Sequence, residues 1–196
     1  MTRDLPGILN AITRSLTDPA DAARDVLRTE WDRGTLWTGF VLVSVLNALF
    51  QGVLQMLVPG TEEQFMVPPP PLIFAVLMTG FLVLNSYLTY AVGRAWGGQG
   101  SFDDTLTLMV WFQIVSLALT AVQFLLMLVT PLLGVLFALL TLGLMVRCMV
   151  LFVDVLHGFD HMGKAFGTAA AAFFGAVLAG MLVLPLVGIQ LPQGVQ

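Results

Sequence analysis

The sequence predicts an all-α integral membrane protein: a five-transmembrane-helix bundle preceded by an amphipathic N-terminal segment. Three observations carry that expectation. Five apolar runs, roughly 36–58, 72–92, 106–129, 132–153 and 168–189, are each long enough, at about 1.5 Å per residue, to cross a hydrocarbon core of about 30 Å as a helix. With 58% hydrophobic and 10% charged residues and a mean hydropathy of +0.91, the chain has too little polar surface for a water-soluble domain of this length. The eight Lys and Arg residues are segregated along the chain. A spanning β-barrel would instead alternate apolar and polar positions, and Leu132 to Leu144 does not. The first apolar run is too long and too far from the N-terminus for a signal peptide.

The basic residues set the expected topology. Arg3, Arg14, Arg24, Arg28 and Arg33 precede the first run, Arg94 follows the second, and Lys164 separates the fourth from the fifth. The intervening connections carry no base. The positive-inside bias therefore places the N-terminus in the cytoplasm and the C-terminus outside, in what reads as a bacterial cytoplasmic (inner) membrane protein. The expected organisation is 1–34 as cytoplasmic interfacial helices, 35–190 as the transmembrane domain and 191–196 as an external tail. Acidic residues interrupt the basic ones at Asp18, Asp21, Asp25, Glu30 and Asp32. No polybasic nucleic-acid patch results.

In the N-terminal segment, Leu5, Ile8, Leu9, Ile12 and Leu16 recur at three- and four-residue spacing and predict a helix with its apolar face along the inner leaflet. Asp18-Pro19 marks a second helix start, with the carboxylate as cap and proline where its missing N–H is harmless. Trp31 and Trp37 then suit the headgroup level. In the first span Asn47, Gln51 and Gln55 repeat every four residues and share one side. The proline run from Pro68 to Pro71 reads as a stiff loop before the second span, where Asn85 and Thr89 form a polar edge.

The turn Gly97-Gly98-Gln99-Gly100-Ser101-Phe102 is flexible and ends in a capped helix start, Ser101 with Asp104. It lacks the strand context and the Lys-Ser/Thr pair of a phosphate loop. In the third span Gln113, Ser116, Thr120 and Gln123 form a second polar stripe. Such groups either hydrogen-bond between helices or line a polar path. In the fourth, Arg147 stands among apolar neighbours, with Asp154 seven residues on. An intramembrane arginine either snorkels to the interface or engages an anionic lipid or solute with its planar donor fork.

Asp154, His157 and His161 are weak metal candidates, and no metal is assigned, because Gly158 interrupts the helix and no HExxH signature is present. Cys148 is the chain's only cysteine and reads as a small core residue. No nucleophile motif or paired acid–base constellation is present, so neither enzymatic activity nor a cofactor is expected. In the fifth span Gly167, Ala171, Gly175 and Ala179 repeat every four residues beside Ala172, Ala176 and Gly180. Such surfaces let backbones approach closely, within one chain or in a homo-oligomer.

The Asp18-Pro19 segment, the Trp31-to-Trp37 entrance, the Gly97-to-Phe102 turn and the five-span layout together resemble the Yip1 domain superfamily, over roughly Leu16 to Ile189. The resemblance implies a compact five-helix membrane domain with a cytoplasmic N-terminal segment. Eukaryotic members are associated with Rab-type GTPases and vesicle trafficking, and bacterial members are largely unassigned. This sequence lacks the long N-terminal extension of the eukaryotic pattern, so GTPase binding is not carried over. The expected function is a small membrane adaptor or membrane-organising protein that binds a membrane or cytoplasmic protein partner or lipid. The alternative is a transporter or channel for a small polar or anionic solute. Ligand or lipid candidates are Arg147, Asp154, Gln51, Gln55, Gln113, Gln123, Asn47 and Asn85.

Overall fold

Helix-start signals and apolar periodicity divide the chain into a short paired arm and five long rods. A computed structural model describes the backbone of residues 5–29, 31–57, 71–159 and 161–186, and their side chains except at 5–6, 51–57, 71–72, 74 and 183–186. The described residues contain seven helices and no strand: α1 (Leu5–Thr17), α2 (Pro19–Leu27), α3 (Arg33–Leu57), α4 (Pro71–Ala95), α5 (Phe102–Val129), α6 (Pro131–His157) and α7 (Met162–Leu186). The last five are long and apolar enough to cross a membrane.

The local signals work as their chemistry requires. Asp18 caps α2, its side chain accepting from the Asp21 N–H at 3.3 Å, with Pro19 in the first turn. Ser101 and Asp104 close a reciprocal capping box at the start of α5, each side chain accepting from the other residue's backbone N–H, at 3.1 and 3.3 Å. Thr130 ends α5 and caps α6, its hydroxyl accepting from the Leu133 N–H at 3.2 Å. Pro71 opens α4, while Pro68, Pro69 and Pro70 lie outside the described residues.

The five long helices form a closed ring in the order α3, α4, α7, α6, α5, with α4 also reaching α5 and α6. Facing pairs give the registers. Along α3 and α5, which run parallel, Arg33 pairs with Asp103, and Phe50 meets Phe124 edge-on with ring centroids 6.1 Å apart. Along antiparallel α4 and α7, Phe81 meets Phe173 edge-on, and a Cβ added at Gly167 would lie 2.7 Å from the Trp96 ring. Ala165, Ala172 and Ala176 are fully buried. Part of the small-residue surface of α7 thus packs against α4 and α6 within the chain, while Ala171 is exposed. Leu132, Leu136, Leu139 and Leu140 of α6 and Phe174, Leu178 and Leu182 of α7 point outward as a lipid-facing surface.

Polar residues within the bundle mostly satisfy themselves. The buried hydroxyls of Ser44, Ser86, Thr89 and Thr168 each donate to the carbonyl four residues earlier, at 2.7–2.9 Å. The helix supplies the acceptor, so no cross-helix partner is required.

Each long helix extends past its apolar run at one and the same end. α3 begins at Arg33 rather than Leu36, α4 ends at Ala95 rather than Val92, and α5 begins at Phe102 rather than Leu106. α6 ends at His157 rather than Val153, and α7 begins at Met162 rather than Thr168. The added turns are polar or glycine-bearing, which stops a hydropathy run, but caps and packing continue the helix. At the C-terminus of α6 the left-handed Gly158, with φ of 61°, ends it.

Candidate functional site at the arm-bearing end

The end built from these extra turns carries α1 and α2. The periodic apolar face of the arm was expected along the leaflet. Its C-terminal part, Ile12 and Leu16, lies on protein, while Leu9 is exposed. Ala11, Ile12 and Leu16 of α1 and Ala23, Val26 and Leu27 of α2 pack with Trp111, Val115, Cys148, Phe152 and Leu156 of α5 and α6. An amphipathic stripe fits any apolar surface, and the α5–α6 hairpin offers one at the right height.

Two polar contacts pin the seat. The Trp111 indole N–H donates to the Ser15 hydroxyl at 2.9 Å, in a fully buried contact. The Arg147 guanidinium donates to the Leu16 carbonyl at 3.2 Å. Leu16 is in the last turn of α1, whose final carbonyls have no partner within their own helix. Arg147 satisfies one of them and places positive charge at the negative end of the helix dipole. Sequence reasoning singled out Arg147 as a membrane charge without finding this acceptor, because the two residues are 131 positions apart.

The outer face of the arm is ionic and exposed. Arg14 pairs with Asp25 at 2.6 Å, Arg24 with Asp21, and Arg28 with Asp25 at 3.6 Å. Arg33 joins Asp103 at 2.9 Å. Exposed pairs of this kind contribute about 0–1 kcal/mol each. They make a charged display more than a fastening.

Beside the arm, His157 is enclosed by the turn that sequence reasoning took only for a flexible link. The ring is 1% exposed. A Cβ at Gly93 would overlap it, one at Gly98 would lie 2.6 Å from the His157 Cβ, and one at Gly100 would lie 2.8 Å from the Leu156 carbonyl oxygen. The Gln99 N–H donates to the His157 carbonyl at 3.0 Å, and Phe159 stacks on the ring with centroids 5.2 Å apart. Among the described residues no hydrogen bond of normal geometry closes on either ring nitrogen, although the Thr89 carbonyl approaches. The imidazole therefore acts as a shaped key between α6 and the α4–α5 turn. The signal for it was the three glycines.

The remaining candidates are dispersed. Asn47 donates to the Val43 carbonyl of its own helix at 3.0 Å. Asn85 is buried on α4, and Gln113 and Gln123 are half-buried on α5. The side chains of Gln51 and Gln55 lie outside the described residues. Asp154 is half-buried, and its carbonyl accepts from the N–H groups of Gly158 and Phe159. His161 is exposed while His157 is enclosed, and the described residues hold no cluster of three or more His, Cys, Asp or Glu that would hold a metal ion.

The family model of the Yip1 domain matches residues 13–184, from within α1 almost to the end of α7. The chain belongs to the Yip1 domain family. No curated protein and no solved structure matches it. The match takes in the last turns of α1 together with α2, so the Yip1 domain of this chain includes most of the docked arm as well as the five rods.

Proposed function

We propose that this Yip1-family membrane protein is a small integral membrane adaptor, or membrane-organising protein, that holds a protein partner or lipid at its arm-bearing end. The observation that carries this reading is the arm itself. Ala11, Ile12, Leu16, Ala23 and Leu27 seat it on α5 and α6, and its outer face presents Arg14, Arg24 and Arg28 beside Asp21 and Asp25. A mixed-charge surface of this kind favours polar recognition at an interface rim, setting specificity and encounter rate. The basic residues gathered at this end, Arg94 and Lys164 included, support a cytoplasmic N-terminus and an external or periplasmic C-terminus in a bacterial inner membrane.

The competing transporter or channel reading needs polar side chains aimed into a path. Asn47 and the buried hydroxyls are already engaged with their own backbones, which favours the adaptor. The adaptor assigns no catalytic step to the chain. The test is a bilayer-preserving pull-down with parallel protein and lipid mass spectrometry. A co-purifying partner whose capture falls when Arg14, Arg24 and Arg28 are replaced by Gln is expected. Solute flux in sealed proteoliposomes, abolished by Gln123→Ala, would overturn the reading.

A further inference from the structure

Between the arm, α3 and α5 lies a groove of about 670 Å³, within the ordinary range of about 300–1,000 Å³ for small-molecule sites. Ile8 and Val26 of the arm close one side, Leu36 and Val43 of α3 are at its base, and Val110 and Ile114 of α5 complete the wall. We propose that this groove holds one phospholipid, its acyl chain laid along α3 and α5 and its phosphate at the level of Arg28 and Arg33. The proposal deepens the lipid half of the function proposed above and rests on it.

Three observations select that occupant. The first is orientation and length. The lining on α3 runs from the Asp32 end down to Val43, about 16 Å at about 1.5 Å per residue, which is close to half of a hydrocarbon core of about 30 Å. The groove has the depth of a single leaflet and runs along the helices, as a lipid in its ordinary orientation does.

The second is access. Leu42 lines the groove, and on the same helix Val41, Val45, Leu46 and Leu49 are exposed. The groove opens onto a lipid-facing surface, so its surrounding solvent is acyl chain.

The third is the shortage of free polar groups below the mouth. The Thr38 hydroxyl donates to the Gly34 carbonyl at 2.7 Å, that of Thr107 to the Asp103 carbonyl at 2.9 Å, and that of Thr29 to the Asp25 carbonyl at 3.2 Å. The Trp111 N–H is taken by Ser15. A polar solute or a peptide backbone entering here would shed its hydration and find little to replace it. An acyl chain needs no replacement. At the mouth the chemistry reverses: Trp31, an interfacial ring, and Asp32 line it, and flanking them in the chain Arg28 and Arg33, paired with Asp25 and Asp103, keep side chains more than three-quarters exposed. A guanidinium fork suits the oxygens of a phosphodiester.

The test is native mass spectrometry of the full chain extracted gently from vesicles of phosphatidylethanolamine and phosphatidylglycerol. One retained phospholipid per chain is expected. Leu42→Trp, which fills the groove, should lower the retained fraction at least five-fold, and Leu139→Trp on the outer face of α6 should leave it unchanged. The double change Arg28→Gln with Arg33→Gln should lower phospholipid retention about two- to three-fold without changing that of diacylglycerol. Wild-type protein alone gives a second readout, because an acyl-chain spin-labelled phospholipid should show one strongly immobilised molecule per chain. Absence of that population, full retention in Leu42→Trp, or a second copy of the chain cross-linked from position 42 would overturn the proposal. Retained lipid without partner capture in the pull-down would overturn the protein-partner half of the proposed function and leave its lipid half and the groove standing. Partner capture without retained lipid would do the reverse.

Discussion

The seam between α4 and α7 and the seam between α3 and α5 are built from the same apolar alphabet and differ in what they leave between them. On α7, Gly167 and Gly175 admit Trp96 and Leu88 so closely that added Cβ atoms would lie 2.7 and 3.2 Å away. On α3, a Cβ at Gly39 would meet Val110 at an ordinary 3.5 Å, and a groove opens alongside. In lipid, association of helices depends on close packing more than on expulsion of water. The closed seam therefore supplies cohesion, and the open one can spare room for a ligand because α4 packs on both α3 and α5, and the arm braces α5 from the other side.

Substitutions can break or sharpen this contrast. The largest effect is expected in the closed seam, where Gly167→Leu forces a side chain into the Trp96 ring. A loss of about 3 kcal/mol or more in folding stability, at the upper end of overpacking costs, should appear in steric-trapping measurements in bicelles. A loss under about 0.5 kcal/mol would mean that the seam is looser than its geometry.

The arm seat comes next. Ser15→Ala strands the buried Trp111 N–H and should cost about 1–3 kcal/mol of docking. Arg147→Gln, at an exposed contact, should cost about 1 kcal/mol. Cys148 reports both, because it is fully buried against the arm and is the only cysteine in the chain. Its alkylation by a membrane-permeant maleimide should accelerate in the order wild type, Arg147→Gln, Ser15→Ala. Equal rates in all three would separate the arm from the protection of Cys148.

The smallest effect belongs to the open seam. Val110→Leu adds one methylene toward the groove and should change stability by less than about 0.5 kcal/mol in the same steric-trapping assay. A penalty as large as that of Gly167→Leu would erase the distinction between the seams.

Much of the rod architecture was legible because lipid imposes a strict demand: long apolar helices with satisfied backbones. The caps at Asp18 and Ser101 were legible for a similar reason, since their geometry is local. The seat of the arm was not. Leu16 and Ile12 form a stripe that suits a leaflet or a protein face equally, and the choice depends on Trp111 and Cys148, far along the chain. The His157 lock was hidden in another way. Glycine reads as freedom, whereas Gly93 near the end of α4 and Gly98 and Gly100 in the turn are small here because His157 and Leu156 of α6 occupy the space. Arg147 was recognised as exceptional and its protein acceptor missed, since a backbone carbonyl leaves no mark on residue type.

The single residue Thr130 serves as the last cap of α5 and the first of α6. With one residue between them, the two rods form a tight helical hairpin. The arm is synthesised before the rods that seat it, and the donors Trp111 and Arg147 come 96 and 131 residues after their acceptors Ser15 and Leu16. During biogenesis, then, the arm leaves the ribosome well before the surfaces that seat it, and its docking marks the arrival of the α5–α6 pair.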